Sequence, residues 1–316
     1  MIYRKYIVRM ELKRKKKAVV TGGAGFIGSH LARALIDAGY EVVVVDNLAG
    51  GKRENIPTGA AFHEVDVRDT QALCRLFSGA QVVFHLAALP RVQFSIEHPQ
   101  ETHDVNVSGT LSVLCAAHDS DVRRVVYSAS SSAYGDQAVM PLIEEMPANP
   151  KSPYGLHKYM GELKCRLFSE LYGLETISLR YFNVYGPGMD PDGPYALVTG
   201  KFLKQRAEGK PMTIVGDGTQ TRDFTHVRDI VRANILAAES PKVGRGEVVN
   251  IGSGKNLSVK RIAELIGGSV EYLPPRIEPH DSLADITRAK ELLGWEPTIP
   301  FEEGVTELKR LAGVIS

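Results

Sequence analysis

Residues 18–46 read AVVTGGAGFIGSHLARALIDAGYEVVVVD, in which a glycine-rich turn and an amphipathic segment separate two apolar stretches. Ala18–Thr21 and the valine run in Glu41–Asp46 are typical of strands that are buried on both faces. Ile27–Ala38 has the spacing of a helix, which Gly39 ends. A strand, a helix and a second strand in this order predict a βαβ unit and therefore a parallel sheet.

The turn between the first strand and the helix carries three glycines, Gly22, Gly25 and Gly28. Glycine permits the tight turn, allows a pyrophosphate to approach the backbone, and lets the helix pack closely on the strand. The helix N-terminus also offers free N–H groups and a positive dipole end to phosphates. A glycine trio alone is a weak motif, but its position between a strand and a helix predicts a dinucleotide-binding loop.

An acidic residue ends the second strand. Asp46 can accept hydrogen bonds from both ribose hydroxyls of NAD and would repel the 2′-phosphate of NADP. The residues that follow it, Asn47 and Leu48, supply no cation in its place, so the sequence predicts NAD rather than NADP. Asp66 and Val67 close a third predicted strand. There the acid can accept from the adenine amino group and the valine can cover the ring, or the acid is simply a solvent-facing strand end.

The alternation of strands and helices continues to about residue 180. Further predicted strands are Ala61–Asp66, Gln81–Leu86, Arg124–Ser128 and Glu175–Arg180, and further predicted helices are Thr70–Phe77, Asn106–Ala117 and Ser152–Tyr172. We expect an α/β protein with a Rossmann-type doubly wound parallel sheet and a smaller, loop-rich C-terminal substrate-binding domain. The predicted divisions are a basic leader over residues 1–17, an NAD-binding domain over 18–180 and a substrate-binding domain over 181–316, from which some segments return to the first domain.

Charge is balanced overall, with 38 basic and 37 acidic residues among 316 and a net charge of +1. Residues 1–17 carry eight Lys/Arg and one acid, so the remainder is mildly acidic and has no electrostatic footprint for nucleic acid. We interpret the leader as a solvated segment, or as lying upstream of a start at Met10, rather than as a nucleic-acid or membrane-surface tag. No stretch is long and apolar enough to predict a transmembrane helix.

The three cysteines, Cys74, Cys115 and Cys165, are odd in number, far apart and without a C-x-x-C motif. This pattern excludes a disulfide framework and a cysteine zinc site, and we expect no metal. It is typical of a reducing compartment, so we expect a cytoplasmic protein.

Tyr154 and Lys158 are four residues apart in a predicted helix and therefore share one face. An ammonium beside a phenol stabilises the phenolate, so we expect Lys158 to lower the pKa of Tyr154 toward the operating pH. The pair would then act as a general base on a carbinol proton. Three hydroxyls at the end of the preceding strand, Ser130, Ser131 and Ser132, can share the proton of the substrate oxygen, and turn capping is the alternative role for most of them.

A longer set of motifs carries a family resemblance. It comprises TGGAGFIG at 21–28, DN at 46–47, HLAA at 85–88, NVSGT at 106–110, SASSSAYG at 128–135, SPYGLHK at 152–158, LRYFNVYGP at 179–187 and GDGTQTRDFTHVRD at 216–229. Together these motifs resemble the extended short-chain dehydrogenase/reductases, and most closely the UDP-sugar 4-epimerases. The resemblance covers nearly the whole chain after the leader.

The resemblance implies roles for individual residues. Tyr154 would be the base, Ser130 its hydroxyl partner, and Lys158 would also hold the nicotinamide ribose. The predicted NAD contacts are Gly22, Gly25, Phe26, Ile27, Gly28, Asp46, Asn47, Asp66, Val67, Leu86, Ala87, Ala88, Asn106, Ser128, Tyr154, Lys158 and Tyr181. The predicted contacts to a UDP-sugar are Ser130, Ser131, Ser132, Tyr154, Asn183, Arg222, Arg276 and Ser282. Asn106 would contact the cofactor or buttress the sheet, and a homodimer would form through the helices predicted at 106–117 and 152–172.

Two features bear on the reaction. Related dehydratases and decarboxylases carry an acid within the serine segment, and Ser130–Ser132 has none, which disfavours dehydration. Arg276 stands in a segment one residue shorter than the pattern of the family, where the resemblance makes it the candidate for the arginine that binds the diphosphate.

Ser282 resembles the residue that gates the sugar pocket of the family, where a small side chain leaves room for an N-acetyl group. The alternative is that other residues set the selectivity, because one position rarely fixes specificity. The resemblance thus implies NAD-dependent inversion at C4 of UDP-GlcNAc/UDP-GalNAc, of UDP-Glc/UDP-Gal, or of both, through a 4-keto intermediate. The alternatives are a dehydratase, decarboxylase or uronate epimerase on the same scaffold, a non-catalytic dinucleotide sensor, and a nucleic-acid binder that uses the leader.

Overall fold

A parallel sheet forms the centre of the computed structural model, which describes residues 15–190, 198–274 and 281–315. The strands of this sheet are β1 (Lys17–Thr21), β2 (Glu41–Asp46), β3 (Ala61–Glu64), β4 (Val82–His85), β5 (Arg124–Ser130), β6 (Glu175–Tyr181) and β11 (Arg245–Ile251). They lie in the order β3-β2-β1-β4-β5-β6-β11, and every neighbouring pair is parallel. The predicted Rossmann-type doubly wound α/β sheet is confirmed.

Three two-stranded sheets lie outside the central sheet in the described ranges. They pair β7 (Val184–Tyr185) with β10 (Thr225–His226), β8 (Met212–Val215) with β13 (Val270–Leu273), and β9 (Thr221–Asp223) with β12 (Asn256–Ser258). The α-helices are α1 (Phe26–Asp37), α2 (Thr70–Phe77), α3 (Val92–Glu97), α4 (Pro99–His103), α5 (Gly109–Asp119), α6 (Pro153–Tyr172), α7 (Val198–Ala207), α8 (Val227–Glu239), α9 (Val259–Ile266), α10 (Thr287–Leu293) and α11 (Phe301–Leu311). Among these described helices, none has the length and apolar character needed to cross a membrane.

The central sheet is buried on both faces, and β2 shows why its sequence lacks alternation. Val42 and Val44 pack in the core shared with α1 and α8, whereas Val43 and Val45 pack in the core shared with α2 and α5. Burial of one valine side chain contributes roughly 1.5–3 kcal/mol to folding. Because helices cover both faces of the sheet, a ligand can reach it only at the strand ends, where the loops after the carboxyl ends can form a site.

The strand order reverses between β1 and β4. The chain runs from β1 outward through β2 and β3, and then returns to place β4 on the other side of β1. In open α/β sheets, ligands bind in the crevice beyond the carboxyl ends of the strands at such a point. The glycine loop follows β1 and residues 86–89 follow β4, so both segments flank this crevice.

Some element bounds differ from those predicted. Strand β3 ends at Glu64 rather than at Asp66, because its partner β2 ends opposite it at Asp46. The helix predicted from residue 106 begins at residue 109, after a π-helical turn over residues 104–108. In that turn the Thr110 hydroxyl donates to the Asn106 carbonyl at 2.7 Å, and a side chain that inserts into the hydrogen-bond ladder is a common cause of such irregularity.

The C-terminal part of the chain contributes to the central sheet and to its cover. Strand β11 lies beside β6, with Val249 opposite Leu179, and α8 shares a core with α1. The division of the chain near residue 180 stays a prediction.

Candidate active site

The glycine loop is closely packed at Gly22 and Gly28 but leaves space for a ligand at Gly25. A Cβ on Gly22, whose φ is +72°, would lie 2.6 Å from the Ala87 nitrogen, and a Cβ on Gly28 would lie 2.1 Å from the Gly22 oxygen. A Cβ on Gly25 would meet only that same oxygen, at 3.2 Å. Gly25 is also the N-cap of α1, where it offers no side-chain acceptor. Free N–H groups beside open space suit the pyrophosphate of a dinucleotide.

Asp46 braces this loop from the end of β2. Its Oδ2 accepts from the Ala24 N–H at 3.0 Å and its Oδ1 from the Leu48 N–H at 2.8 Å. The side chain is only 7% exposed, and this burial raises the pKa of the carboxyl. Because a carboxylate has about four acceptor positions, two remain for ribose hydroxyls.

Asp66 is engaged by an arginine that the sequence analysis did not single out. Arg68 donates to both oxygens of Asp66 at 2.8 Å, and Asn47 donates to Oδ2 at 3.0 Å. The Arg68 hydrogen bonds are the main reason that the pKa of Asp66 falls to about 2. The neighbouring Val67 is buried, and a Cβ on Gly109 would lie 2.9 Å from it. A contact of Asp66 with adenine stays a prediction and would have to share the carboxylate with Arg68.

Asn106 buttresses the segment that follows β4. Its Oδ1 accepts from the Leu89 N–H at 2.7 Å and its Nδ2 donates to the Leu89 carbonyl at 2.9 Å. Both hydrogen-bonding groups of the amide are therefore used to fix the stretch that contains Leu86, Ala87 and Ala88. Asn106 was expected either to contact the cofactor or to buttress the sheet, and these hydrogen bonds support the second role.

The structure brings Tyr154, Ser130 and Lys158 together at the carboxyl edge of the sheet. Ser130 ends β5, and its hydroxyl lies near enough to that of Tyr154 to lower the pKa of the phenol. The Ser130 hydroxyl also donates to Ser132 Oγ at 3.1 Å. Lys158 is 3% exposed and donates from Nζ to the Ser128 carbonyl at 2.6 Å. Ser131 and Ser132 lie in a short 3₁₀ turn directly after the strand.

Two serines fix the first turn of α6, which carries Tyr154 and Lys158. Ser152 is the N-cap and accepts from the Gly155 N–H at 3.1 Å, as expected from its place before Pro153. Ser95, on α3, accepts from the Tyr154 N–H at 3.1 Å and is fully buried. No local pattern in the sequence indicates this second contact, because it joins residues of two separate helices.

Burial, not the neighbouring ammonium, dominates the electrostatics of the pair. Burial raises the pKa of Tyr154 to about 12, which the Ser130 hydrogen bond only partly offsets. Burial also lowers the pKa of Lys158 to about 8, against the opposing charge of Glu162. The Lys158 ammonium donates to the Ser128 carbonyl, and burial outweighs its charge, so the phenol is protonated at neutral pH. That Lys158 brings the pKa of Tyr154 toward the operating pH during turnover stays a prediction.

Tyr181 lies beside the serine segment, because it is paired with Ser130 in the register of β5 and β6. Its hydroxyl donates to Asn234 Oδ1 at 2.9 Å, and burial raises its pKa. This places an aromatic ring next to the serine segment, and its contact with the nicotinamide stays a prediction.

Three of the residues predicted to contact the UDP-sugar, Asn183, Arg222 and Ser282, lie around one buried acid, Asp223. Asn183 donates to the Asp223 carbonyl at 2.7 Å, and the Asp223 N–H donates to Ser282 Oγ at 3.4 Å. Arg222 is the adjacent residue of β9 and donates to the Thr221 carbonyl at 2.9 Å. The Asp223 carboxylate accepts from the backbone N–H groups of residues 253, 254 and 284. It therefore fixes the segment after β11 and the segment before α10 relative to β9. Arg276 lies outside the described residues.

The described residues contain no group of three or more His, Cys, Asp or Glu side chains arranged to hold a metal ion. What they do provide is a phosphate-accepting loop, a ribose-accepting acid and a hydroxyl pair next to a buried ammonium. Such a combination can bind a dinucleotide and move a proton at an alcohol.

Comparison with known proteins agrees with this chemistry. The model of the NAD dependent epimerase/dehydratase family matches residues 18–252. UDP-glucose 4-epimerase from Mycolicibacterium smegmatis is 36% identical over 92% of this chain and 96% of its own. Other relatives are a UDP-glucuronate 4-epimerase, at 38% identity, and a UDP-N-acetyl-alpha-D-glucosaminuronate decarboxylase, at 34%.

Solved structures are similar over almost the full length. UDP-glucose 4-epimerase from Thermotoga maritima, solved with UDP-glucose, has a TM-score of 0.88 and 39% identity, and covers 95% of this chain and 100% of its own. UDP-N-acetylglucosamine 4-epimerase from Methanobrevibacter ruminantium has a TM-score of 0.90 and 37% identity, with 96% and 100% covered. The chain therefore belongs to the NAD-dependent epimerase/dehydratase family, whose enzymes act on nucleotide sugars with NAD as cofactor.

Proposed function

We propose that this enzyme inverts C4 of a UDP-hexose, with UDP-GlcNAc/UDP-GalNAc and UDP-Glc/UDP-Gal as the candidate pairs. The observation that carries the proposal is the placement of the Ser130 hydroxyl, which lowers the pKa of Tyr154, together with the buried ammonium of Lys158 one helical turn after Tyr154. This arrangement can remove a proton from a secondary alcohol and return it. It supplies no second acid–base group for removing water or a carboxyl group.

NAD, which the glycine loop and Asp46 would hold, would supply the acceptor and the donor of the C4 hydride, so that the sugar would pass through a 4-keto form. Tyr154 takes the proton of the C4 hydroxyl, and Ser130 shares that proton as it moves. Lys158 would hold the nicotinamide ribose and would keep a positive charge near the developing phenolate. Because the sugar has to turn over between the two steps, the binding energy must lie on the UDP, which Asn183 and Arg222 would hold.

The runner-up is another reaction of the same family on an NAD-bound nucleotide sugar. The relatives that act as a uronate epimerase and a decarboxylase keep this alternative open. Against a dehydratase or decarboxylase stands the serine segment, in which Ser130, Ser131 and Ser132 occupy the positions where an acid is needed.

The deciding experiment incubates the enzyme separately with UDP-glucose, UDP-GlcNAc and UDP-glucuronate, and identifies the products by ¹H NMR. We expect the C4 epimer of at least one of the first two, at equilibrium and without accumulation of NADH. Release of water or carbon dioxide, or epimerisation of the uronate alone, would contradict the proposal.

We propose further that Ser282 leaves room for an N-acetyl group. Ser282 is half-buried, and its hydroxyl accepts from the backbone of Asp223 beside Asn183 and Arg222. In the Ser282→Tyr variant we expect kcat/KM for UDP-GlcNAc to fall about tenfold more than kcat/KM for UDP-galactose, because a filled pocket excludes the larger sugar. Ser282→Ala is the control and should change both values alike. Equal losses in the tyrosine variant would show that other residues set selectivity.

We propose that the enzyme is a homodimer formed through α5 and α6. These helices expose an apolar stripe of Leu111, Leu156, Leu163, Leu167 and Leu171, each between 38% and 64% exposed. Apolar patches of this kind on a folded protein mark contact surfaces. Light scattering should give twice the mass of one chain, and the Leu163→Asp/Leu167→Asp variant should give the mass of one. A wild-type monomer would refute the dimer.

We also propose a cytoplasmic location without nucleic-acid or membrane partners. Its support is that Cys74, Cys115 and Cys165 are all free thiols and that the chain without its leader is mildly acidic.

A further inference from the structure

One side chain joins the NAD-binding helix to the loop that leads into the proposed UDP site. His30 Nε2 lies 2.8 Å from the Pro187 carbonyl oxygen, across 157 residues of sequence. A carbonyl oxygen only accepts hydrogen bonds, so Nε2 carries the proton and donates it. Neither the glycine motif nor the Tyr-x-x-x-Lys motif uses this histidine.

The donor is placed by the first turn of α1. His30 is four residues after Phe26, and the two rings pack edge to face with centroids 5.8 Å apart. Phe26 directly follows Gly25, the glycine of the phosphate loop that is open to a ligand. The imidazole is therefore held by the same turn that would bind the pyrophosphate of NAD.

The acceptor is placed by a tight turn beside the proposed diphosphate ligands. Gly186, Pro187 and Gly188 follow β7, which begins directly after Asn183. The Met189 N–H closes the turn on the Gly186 carbonyl at 3.2 Å. A Cβ on Gly188, whose φ is +81°, would lie 3.6 Å from His30 Nε2, so the imidazole covers the outer side of the turn.

We propose that His30 is a positioning residue for the nucleotide sugar, one that fixes the 186–189 turn against the NAD-binding helix and so sets the affinity for the UDP part of the substrate. The inference rests on the proposed function, because it takes Asn183 as a ligand of the diphosphate. The contacts of His30 are to Pro187 and Phe26 and not to the proposed base, so its bond is expected to contribute equally in the ground state and the transition state. Such uniform binding changes KM and leaves kcat unaltered.

Two replacements separate the donor from the ring. His30→Phe keeps a ring that packs on Phe26 but has no donor, whereas His30→Gln keeps an N–H donor at a similar reach. His63, which is exposed on β3, provides a control for a histidine-to-phenylalanine change away from the site. All variants are prepared as holoenzyme, and their NAD content and Tm are measured.

For His30→Phe we expect KM for the UDP-sugar and Kd for UDP, measured by calorimetry, to rise about 3- to 10-fold, as is typical of one lost hydrogen bond. We expect kcat and NAD content to stay within about twofold, and His30→Gln and His63→Phe to match the wild type. Unchanged UDP affinity in His30→Phe would overturn the proposal. So would equal weakening in His30→Gln, or a loss confined to kcat. If the wild-type enzyme binds UDP but epimerises no UDP-hexose, the proposed function fails, while the UDP affinities still decide the role of His30.

Discussion

We expect the Tyr154→Phe variant to lose roughly 10²–10⁴-fold in kcat, the range typical of general acid–base catalysis by a positioned side chain. The substitution removes one oxygen, the phenol oxygen whose pKa the nearby Ser130 hydroxyl lowers. The backbone contact to Ser95 and the N-cap at Ser152 do not involve that oxygen, so α6 should keep its position.

The pKa of Tyr154 explains why the loss should be large. Burial holds this pKa at about 12, so the phenol becomes an effective base only with positive charge nearby, and Lys158 contributes one such charge below a pH of about 8. Once the oxygen is gone, the Ser130 hydroxyl is a far weaker base than a phenolate, and Lys158 is already protonated at neutral pH, so neither can take the proton there.

Three measurements check the expectation. Turnover is followed by NMR, NAD content by absorbance after denaturation, and folding by Tm. Tyr40→Phe is a matched control, since the Tyr40 hydroxyl donates to Glu239 at the opposite edge of the sheet. Wild-type NAD content and Tm together with a kcat within about threefold of the wild type would refute Tyr154 as the base and favour a non-catalytic dinucleotide binder.

The sequence predicted best the elements whose pattern depends on their own residues. β2 and α2 have the predicted bounds, because a valine run and an Asp69 N-cap each define their element locally. β3 is shorter than predicted, because a strand ends where its partner ends. β11 was not predicted as a strand, because its place beside β6 depends on residues nearly 70 positions earlier.

In the site, too, features set by neighbouring residues were predicted, and contacts between distant residues were not. The shared face of Tyr154 and Lys158 follows from helical spacing alone, and it was predicted. The contacts of Ser95 and His30 join distant parts of the chain, and no local motif marks them. The rise of the Tyr154 pKa was not predicted, because it depends on how deeply the phenol is buried, which is also a property of the assembled fold.

The second large effect concerns stability. Arg180 and Glu162 form a bidentate ion pair at 2.8 and 2.7 Å, with side chains only 4% and 2% exposed. Removing one partner of such a pair leaves an uncompensated buried charge and costs about 3–5 kcal/mol. We therefore expect Glu162→Gln to lower Tm by roughly 6–20 °C, and calorimetry would measure the change.

The same helix offers a control. Arg166 and Glu170 form an ion pair within α6, four residues apart, and their side chains are 60% and 59% exposed. Exposed pairs contribute little, so Glu170→Gln should change stability by less than about 0.5 kcal/mol. The double variant Glu162→Leu/Arg180→Met should recover much of the loss, because replacing both partners removes the buried charge altogether. A double variant as unstable as Glu162→Gln would show that packing, not charge, accounts for the effect.

The ion pair also bears on the proposed chemistry, because Glu162 lies one turn after Lys158 on α6. The negative charge of Glu162 opposes the lowering of the Lys158 pKa by burial, which leaves that pKa at about 8. In Glu162→Gln this charge is lost and the unpaired Arg180 adds repulsion, so the pKa of Lys158 should fall further. Lys158 then loses its proton at a lower pH, and the alkaline limb of the kcat/KM profile should move toward neutral pH. Glu170→Gln should leave the profile in place, and an unmoved limb in Glu162→Gln would separate Glu162 from the electrostatics of Lys158.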